Sequence, residues 1–421
     1  MNWFINLVKN EALIYSIMIK VTQMTSGLII MKLLSSHLSK SEFGYYALMM
    51  ALLGLISMLP FAALDHGVLR FTVEYRKRIS HFFSNVVGMY LFFILLYSTA
   101  ILLSHLFFNY ESKLALLLLL IPFLILPSIL FNLLTWFENA LENQKKFAFM
   151  LFLDFVLKVG GIGILILFNL LSTESIMILF MLSYALIFLF ASKDIFKFKM
   201  LEKEEMKKIF FKILPYAYPI MIWGVFVWAQ GMVYRWYLEF FSSKEDVASF
   251  AIISALAILP VTALTGILGT YLLPKLFRRN ENELDDKSKI FKQVLKALFY
   301  VLGILTAMWL FINIFQKEIV SILTDAKYAS ESWMLPYMFL AMMVYAIGNI
   351  LAYMIYVKKE TKDLLLANIL PGLFALTVGY YLIKTYALNG ALITFCCTYV
   401  LTGTLNTFIV LKNQRKVQHA E

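Results

Sequence analysis

The run FAFMLFLDFVLKVGGIGILILFNLL, residues 147–171, decides the fold class of this chain. A segment of about 20 apolar residues is long enough to cross the ~30 Å hydrocarbon core of a bilayer as an α-helix. The run contains two charged residues, Asp154 and Lys158, and is otherwise almost entirely apolar. Because a segment inside a bilayer must satisfy its own backbone hydrogen bonds, we predict a transmembrane helix here.

The same pattern extends over the whole chain of 421 residues. Hydrophobic residues make up 61% of it and charged residues 15%, and the mean hydropathy is +0.79. This composition excludes an ordinary soluble domain and is typical of a polytopic membrane protein. The predicted fold class is therefore all-α, with about 12 transmembrane helices. The apolar stretches are residues 13–34, 43–64, 82–104, 114–137, 147–171, 176–191, 213–234, 248–273, 294–315, 333–357, 364–383 and 390–411.

Basic residues are distributed unevenly between the two sides of the predicted membrane. Most Lys and Arg lie in the N-terminal segment and in every second loop after it, for example at Arg76, Lys145 and Lys193. By the positive-inside rule, this asymmetry predicts that both termini are cytoplasmic. The formal net charge of +11 is then explained by topology and by contact with anionic membrane lipids, so no nucleic-acid partner is needed.

A basic segment at residues 193–212 divides the predicted helices into two equal sets. We predict it to be an amphipathic cytoplasmic linker between an N-terminal lobe, residues 1–192, and a C-terminal lobe, residues 213–421. A short internal repeat supports this division, because SKSEFGYYA at 39–47 matches SKEDVASFA at 243–251 in the same place of each lobe. Lobes related in this way have one orientation, as in parallel-repeat transporters, and the substrate site lies between them.

Four stretches of the sequence resemble one known family. They are similar to the polysaccharide-export members of the multidrug/oligosaccharidyl-lipid/polysaccharide (MOP) flippase superfamily, especially the Wzx-type O-antigen flippases. The similarity in layout covers essentially the whole chain and implies a MOP/MATE-like fold of two six-helix lobes. The stretches are LLSSHLSKSEFGYYAL at 33–48, DHGVLRFTVE at 65–74, LPYAYPIMIWGVFVWAQGMVYRWYLEFFSSKEDVASFAI at 214–252 and YALNGALITF at 386–395.

The resemblance implies a flippase for undecaprenyl-diphosphate-linked oligosaccharide repeat units of O-antigen, capsule or a related polysaccharide. It implies transport by alternating access from the cytoplasmic to the outer leaflet of the bacterial inner membrane. A polysaccharide polymerase and a chain-length regulator are the implied protein partners, no cofactor is implied, and coupling to a proton or sodium gradient is an open option. One departure concerns Tyr234 and Arg235, which stand where family members often have an Asp–Arg pair.

Polar residues inside the apolar stretches are the candidates for binding such a substrate, because a polar group in a membrane span is costly unless it faces a cavity or a partner. Asp154 and Lys158 are spaced i, i+4 on one helical face. They form either a structural ion pair or a cavity pair in which Lys158 meets the diphosphate and Asp154 carries a coupling proton. Trp223 either stacks on sugar rings or packs between helices. The cavity candidates are Lys20, Gln23, Asp154, Lys158, Trp223, Gln230, Tyr234 and Arg235.

We expect Lys20, Gln23, Lys158 and Gln230 to face one central cavity between the two lobes. Lys20 and Gln23 support this, since they share a helical face that is costly to expose to lipid. A second group of charged residues lies at the predicted cytoplasmic end of the second apolar stretch. It consists of the gate or headgroup candidates Asp65, His66 and Arg70, although Arg70 also fits interfacial snorkelling.

The remaining charged residues indicate no catalytic chemistry. Glu138 is predicted to be a solvated loop charge. The sequence contains no P-loop, metal-ligand cluster or nucleophile motif, so we predict neither a catalytic residue nor a metal site.

Three classes of function are compared on these residues. A lipid-linked oligosaccharide flippase accounts for the buried lysines. A MATE-like drug/cation antiporter shares the architecture, but the basic residues Lys20 and Lys158 argue against a cationic substrate. An integral membrane polysaccharide polymerase or ligase usually needs a sizeable external loop, and the longest one predicted here, residues 316–332, is short. The sequence thus favours a transporter over an enzyme.

Overall fold

The computed structural model of the chain describes residues 11–72, 74–107, 112–197, 201–281, 287–358 and 364–418. Regular structure in these residues is helical, and they contain no β-strand. The α-helices are α1 (Glu11–His37), α2 (Lys40–Ser57), α3 (Ala63–Phe71), α4 (Ile79–Phe107), α5 (Ser112–Ala140), α6 (Gln144–Leu167), α7 (Thr173–Ser192), α8 (Lys203–Phe241), α9 (Lys244–Glu281), α10 (Lys287–Leu323), α11 (Met334–Lys358) and α12 (Leu365–Gln418).

Ten of the described helical segments are long and apolar enough to cross a membrane. α8 adds an eleventh segment, bent by 51° at Pro219, which cannot donate a backbone hydrogen bond. α12 is broken at Ala387, whose φ of 47° and ψ of −123° are not helical, and this break separates the predicted stretches 364–383 and 390–411. Each predicted stretch corresponds to helix, so the prediction of an all-α polytopic membrane protein is confirmed. The orientation of the termini stays a prediction.

A bend at Met58–Ala62 separates α2 from α3. Leu59 has extended dihedrals, φ −116° and ψ 115°, because the residue before a proline is disfavoured in the α conformation. The Leu59 carbonyl oxygen accepts a hydrogen bond of 2.6 Å from the Tyr97 hydroxyl, and the Phe61 carbonyl oxygen lies 3.3 Å from the Tyr90 hydroxyl oxygen. The Tyr97 side chain of α4 therefore supplies a hydrogen bond to the bend, where lipid offers none.

The proximity of Cα atoms divides the chain into two compact units. The first unit consists of Met1–Ala51 and Phe226–Glu421, and the second of Leu52–Val225. Such units group residues by contact and need not coincide with halves of the sequence. The predicted lobes, residues 1–192 and 213–421, stay a prediction.

Each unit is held together by close helix packing. In the second unit, side chains of α3, α4, α5 and α7 share a hydrophobic core, and Tyr75 stacks on Phe82 with ring centroids 4.5 Å apart. In the first unit, α11 and α12 approach closely at Gly348 and Gly403, where a Cβ on either residue would overlap the other helix's backbone. Small residues at such crossings let membrane helices pack backbone against backbone.

Both copies of the internal repeat begin a helix. Ser39 Oγ accepts a hydrogen bond from the backbone N–H of Glu42, and Ser243 Oγ accepts one from Asp246, each at 3.1 Å. These serines precede α2 and α9 and satisfy an N–H group that has no partner within the helix. The two segments thus share a local structure as well as a sequence pattern.

The segment predicted as a linker, residues 193–212, is only partly described, since 198–200 lie outside the described residues. From Lys203 it forms the first turns of α8, in which Ile209 is buried and Lys207 and Lys208 are exposed. Two buried side chains of α4, Ser84 and Asn85, accept 2.9 Å hydrogen bonds from the backbone N–H groups of Lys197 and Glu202. This segment is therefore attached to α4 before α8 begins.

Candidate functional site

Asp154 and Lys158 form a direct ion pair on α6. The Lys158 Nζ atom lies 2.8 Å from Asp154 Oδ2. Lys158 is 6% exposed, so its charge is held within the protein. The i, i+4 spacing with the acid on the N-terminal side allows both side chains to meet over one turn of helix. The geometry thus contains the pair that the spacing predicts.

Aromatic rings of α7 surround the Lys158 ammonium group. Its Nζ atom lies 3.9 Å from the ring centroid of Tyr184 and 4.8 Å from that of Phe180. Phe131 of α5 packs against Tyr184 with centroids 4.8 Å apart. Ring faces attract cations most strongly where water is excluded. Three helices, α5, α6 and α7, therefore build one binding environment for a cation-bearing side chain.

The acid of the pair is less well satisfied than the lysine. Asp154 Oδ1 is buried and has no hydrogen-bond partner in the described part of the chain. A buried carboxylate oxygen without a donor is costly, which leaves Asp154 dependent on the contact of its other oxygen with Lys158. The pair is electrically neutral as a whole, but its lysine has more partners than its acid.

The three gate candidates have separate partners. Asp65 on α3 is 4% exposed, and its Oδ1 accepts a 2.7 Å hydrogen bond from the Tyr90 hydroxyl of α4. The His66 ring packs on Trp136, with ring centroids 4.9 Å apart. Arg70 is exposed, and its guanidinium lies 5.5 Å from the Tyr216 ring centroid. The structure therefore gives each of the three residues a partner of its own, and a gate or headgroup role for them stays a prediction.

Tyr90→Phe should destabilise the protein by about 1.5 to 3 kcal/mol, the usual contribution of a hydrogen bond to a charged group. Phenylalanine keeps the ring of residue 90, which is 5.2 Å from that of Phe61, and removes the donor to Asp65. Thermal and denaturant unfolding of the purified protein in detergent measures the loss. Tyr381→Phe is the control, because Tyr381 is 69% exposed. Equal unfolding curves for the two variants would contradict the role of this bond.

Lys20 and Gln23 lie on the side of α1 that faces α9. Lys20 Nζ is 3.3 Å from Gln23 Oε1, and the Lys20 side chain passes over Gly266. Gly27, one helical repeat further along α1, lies near Leu259 of the same helix α9. Lys20 is half-buried and Gln23 is exposed. Lys20 and Gly27 thus contact α9 within the first unit, and the inward orientation of the whole face stays a prediction.

Two candidate residues on α8, Gln230 and Tyr234, contact other helices of the first unit. Gln230 is 5% exposed: its Nε2 donates a 2.6 Å hydrogen bond to the Asn368 carbonyl, and its Oε1 accepts one of 3.2 Å from Thr402. Tyr234 is buried against an aromatic ring, that of Phe250, at 5.4 Å. In this conformation both side chains are engaged in helix packing.

Two further α8 candidates differ in their surroundings. The Arg235 guanidinium donates a 3.0 Å hydrogen bond from Nη1 to the Ala47 carbonyl, and its Nε is buried without a partner in the described residues. Trp223 is half-buried and belongs to the second unit. A common central cavity for Lys20, Gln23, Lys158 and Gln230 stays a prediction.

One charged residue was assigned wrongly from the sequence. Glu138 was predicted to be solvated but is 1% exposed. Its Oε1 lies 2.6 Å from Lys146 Nζ, and its Oε2 accepts a 3.0 Å hydrogen bond from Asn143. The turn between α5 and α6 places these partners over the carboxylate and so shields it from water. The acid at the end of an apolar helix, followed by a lysine after the turn, was the available signal.

The described residues contain no group of three or more His, Cys, Asp or Glu that could hold a metal ion. Tyr90, Tyr184 and Phe180 are the contacts that the sequence did not indicate. Aromatic residues are frequent throughout this chain, so their spacing alone could not identify the ones that touch Asp65 and Lys158.

Comparison with known proteins gives matches among solved structures only. No family model and no curated protein matches the sequence. An inward-facing MATE multidrug-resistance transporter of the MOP superfamily matches with a TM-score of 0.71 and 13% identity, over 97% of this chain and 99% of that one. The chain shares the fold of this transporter. The lipid II flippase MurJ, in an inward closed conformation, matches with a TM-score of 0.70 and 15% identity, over 94% and 86%.

The MOP fold occurs in proteins with different pocket polarity. A MOP-superfamily transporter from Pyrococcus furiosus, described by a binding pocket of reverse polarity that suggests a different function, matches with a TM-score of 0.64 and 15% identity, over 96% of this chain and 95% of that one. At these identities the likeness concerns the fold. The chain accordingly shares the fold of these multi-pass membrane proteins, and its function must be argued from its own residues.

Proposed function

We propose that this protein is a flippase that moves undecaprenyl-diphosphate-linked oligosaccharide repeat units from the cytoplasmic to the outer leaflet of a bacterial inner membrane. The observation that carries the proposal is the buried ammonium group of Lys158 between the rings of Tyr184 and Phe180. Support comes from the fold, which the lipid II flippase MurJ shares.

Lys158 has the chemistry that a lipid-linked diphosphate requires. It lies ~16 Å along α6 from Phe147, near the middle of a ~30 Å hydrocarbon core. Attraction between a lysine and a phosphate is far stronger at such a place than in water. Asp154 holds the ammonium group when no substrate is present. The diphosphate then replaces Asp154 as its partner, and Tyr184 offers a ring face beside the adjoining sugar.

The second candidate function is a MATE-like antiporter for cationic drugs. Asp65 favours it, because this buried carboxyl group has a neutral hydroxyl, that of Tyr90, as its hydrogen-bond partner. A cation needs such an acid in its pathway, whereas Lys158 would repel it. Under either function we propose transport by alternating access, with coupling to a proton or sodium gradient as an option for the driving force. O-antigen or capsule units, with a polymerase and a chain-length regulator downstream, are the proposed cargo and partners.

The experiment uses the double variant Asp154→Asn with Lys158→Gln, which removes both charges and leaves neither group unpaired. We expect normal abundance and a translocation rate reduced about tenfold or more, from the ~1.5 to 3 kcal/mol of a hydrogen bond to a charged group. The assay is flipping of a lipid-linked oligosaccharide in proteoliposomes, with efflux of a cationic dye measured in parallel. Wild-type flipping by the double variant would make the pair structural. Dye efflux that depends on Asp65, without flipping, would establish the antiporter instead.

A further inference from the structure

A cavity of about 160 Å³ lies between the N-terminal end of α6 and the C-terminal end of α7. This volume is about five times the ~30 Å³ that one water molecule occupies in the liquid. Its polar lining comes from Lys146, Lys193 and Asp194, and its apolar lining includes Phe149, Ile187 and Phe190. All of these residues belong to the second unit. The cavity has enough room for a phosphate group, and three charged side chains lie in a mostly apolar lining.

The charged groups around this cavity differ in how they are satisfied. Lys146 is already paired with Glu138, and Asp194 places one carboxylate at the exposed edge. Lys193 is exposed, forms no ion pair within the described residues, and lies with its Nζ 5.4 Å from the Phe190 ring centroid. The N-terminal end of α6, with its partial positive charge, adds to the attraction for an anion. Lys193 is thus the ammonium group available to a ligand.

The apolar side of the cavity opens onto an outward-facing hydrophobic surface. Phe149 and Phe190 are 54% and 62% exposed, and further along the same helices Phe152, Leu186 and Leu189 are also exposed. In a membrane protein such a surface faces acyl chains. A free phosphate or a polar peptide would leave it uncovered, whereas a phospholipid matches both the charged and the apolar part.

We propose that this cavity binds the phosphodiester headgroup of an anionic phospholipid, with Lys193 as its main ionic contact. The acyl chains then lie along Phe149 and Phe190. Basic pockets at the ends of membrane helices on the cytoplasmic side are suited to anionic headgroups, and the charge distribution of this chain predicts these helix ends to be cytoplasmic. The site is separate from the proposed transport contact at Lys158.

The test measures retention of phosphatidylglycerol by the purified full-length protein, using native mass spectrometry and the shift in thermal unfolding. Lys193→Gln should weaken phosphatidylglycerol binding about fivefold, which corresponds to the ~1 kcal/mol that one lysine contributes at a membrane surface. Lys197→Gln is the matched control, since Lys197 is exposed in the same segment and is not part of the cavity lining. Ala191→Leu, which fills the cavity without changing charge, should weaken binding as well.

Several results would overturn the proposal. Unchanged phosphatidylglycerol binding by both Lys193→Gln and Ala191→Leu would show that the lipid binds elsewhere. Equal retention of phosphatidylcholine would remove the headgroup preference. An equal thermal shift with inorganic phosphate would make the ligand a free anion, and displacement of phosphatidylglycerol by farnesyl diphosphate would assign the cavity to the transported substrate. The unfolding midpoint without added lipid shows that each variant is folded.

Discussion

Lys158→Ala is expected to destabilise the protein by about 3 to 5 kcal/mol, the cost of removing one partner from a buried ion pair. Alanine removes the ammonium group that lies 2.8 Å from Asp154 Oδ2. Asp154 Oδ1 already has no partner in the described residues, so the carboxyl group would lose its remaining strong contact. The fraction of folded protein after heating, and its abundance in membranes, measure the effect.

Removing the acid of the pair instead of the lysine should have a smaller effect on stability. Asp154→Asn leaves Lys158 between the rings of Tyr184 and Phe180, which continue to stabilise its charge. We therefore expect Asp154→Asn to cost clearly less stability than Lys158→Ala. The double variant, which removes both charges, should be more stable than Lys158→Ala. If the double variant were no more stable than Lys158→Ala, the lysine would be needed for its packing and not for its charge. If Asp154→Asn lost as much stability as Lys158→Ala, the rings would not stabilise the unpaired ammonium group.

Lys146→Ala should cost about 3 kcal/mol, near the lower end for a broken buried pair. Its partner Glu138 is almost fully buried at the end of α5, and Lys146 Nζ is 2.6 Å from Glu138 Oε1. Asn143 still donates to the other carboxylate oxygen, which keeps the loss from being larger. Thermal unfolding of the purified variant gives the value.

Lys145→Ala is the matched control for this prediction. Lys145 is the adjacent residue of the same helix end and is exposed. Its removal lowers the net charge by the same amount, so any general effect of charge on stability appears in both variants. If Lys145→Ala and Lys146→Ala unfold at the same temperature, the buried pair at Glu138 contributes nothing to stability. Glu138→Gln combined with Lys146→Ala should recover part of the loss.

The helices were predictable because a long apolar stretch in a bilayer must satisfy its backbone hydrogen bonds within itself, and an α-helix does so. The ion pair was predictable because Asp154 and Lys158 are neighbours on a single helix. The ring contacts of Lys158 were not, since Tyr184 lies on a different helix and one tyrosine among 23 carries no mark of its partner. Contacts within one helix follow from spacing, whereas contacts between helices depend on how the helices pack.

Gln230 on α8 shows the same limit of prediction, because its partners also lie on another helix. Gln230 was selected because an amide in an apolar stretch is costly, and in the structure both its nitrogen and its oxygen have a hydrogen-bond partner. Its partners, Asn368 and Thr402, come from two distant parts of α12. The sequence therefore indicated that Gln230 must have partners, but it could not indicate whether these were helices or a substrate.

The Tyr90 hydroxyl has one hydrogen and two oxygen atoms within reach, Asp65 Oδ1 at 2.7 Å and the Phe61 carbonyl at 3.3 Å. It donates to one of them at a time. When Asp65 is ionised, the hydrogen goes to the carboxylate. When Asp65 carries a proton, the carboxyl group donates to the Tyr90 oxygen, and the Tyr90 hydrogen turns to Phe61. Protonation of Asp65 would thus release the Tyr90 hydrogen for the Phe61 carbonyl, which lies in the bend between α2 and α3.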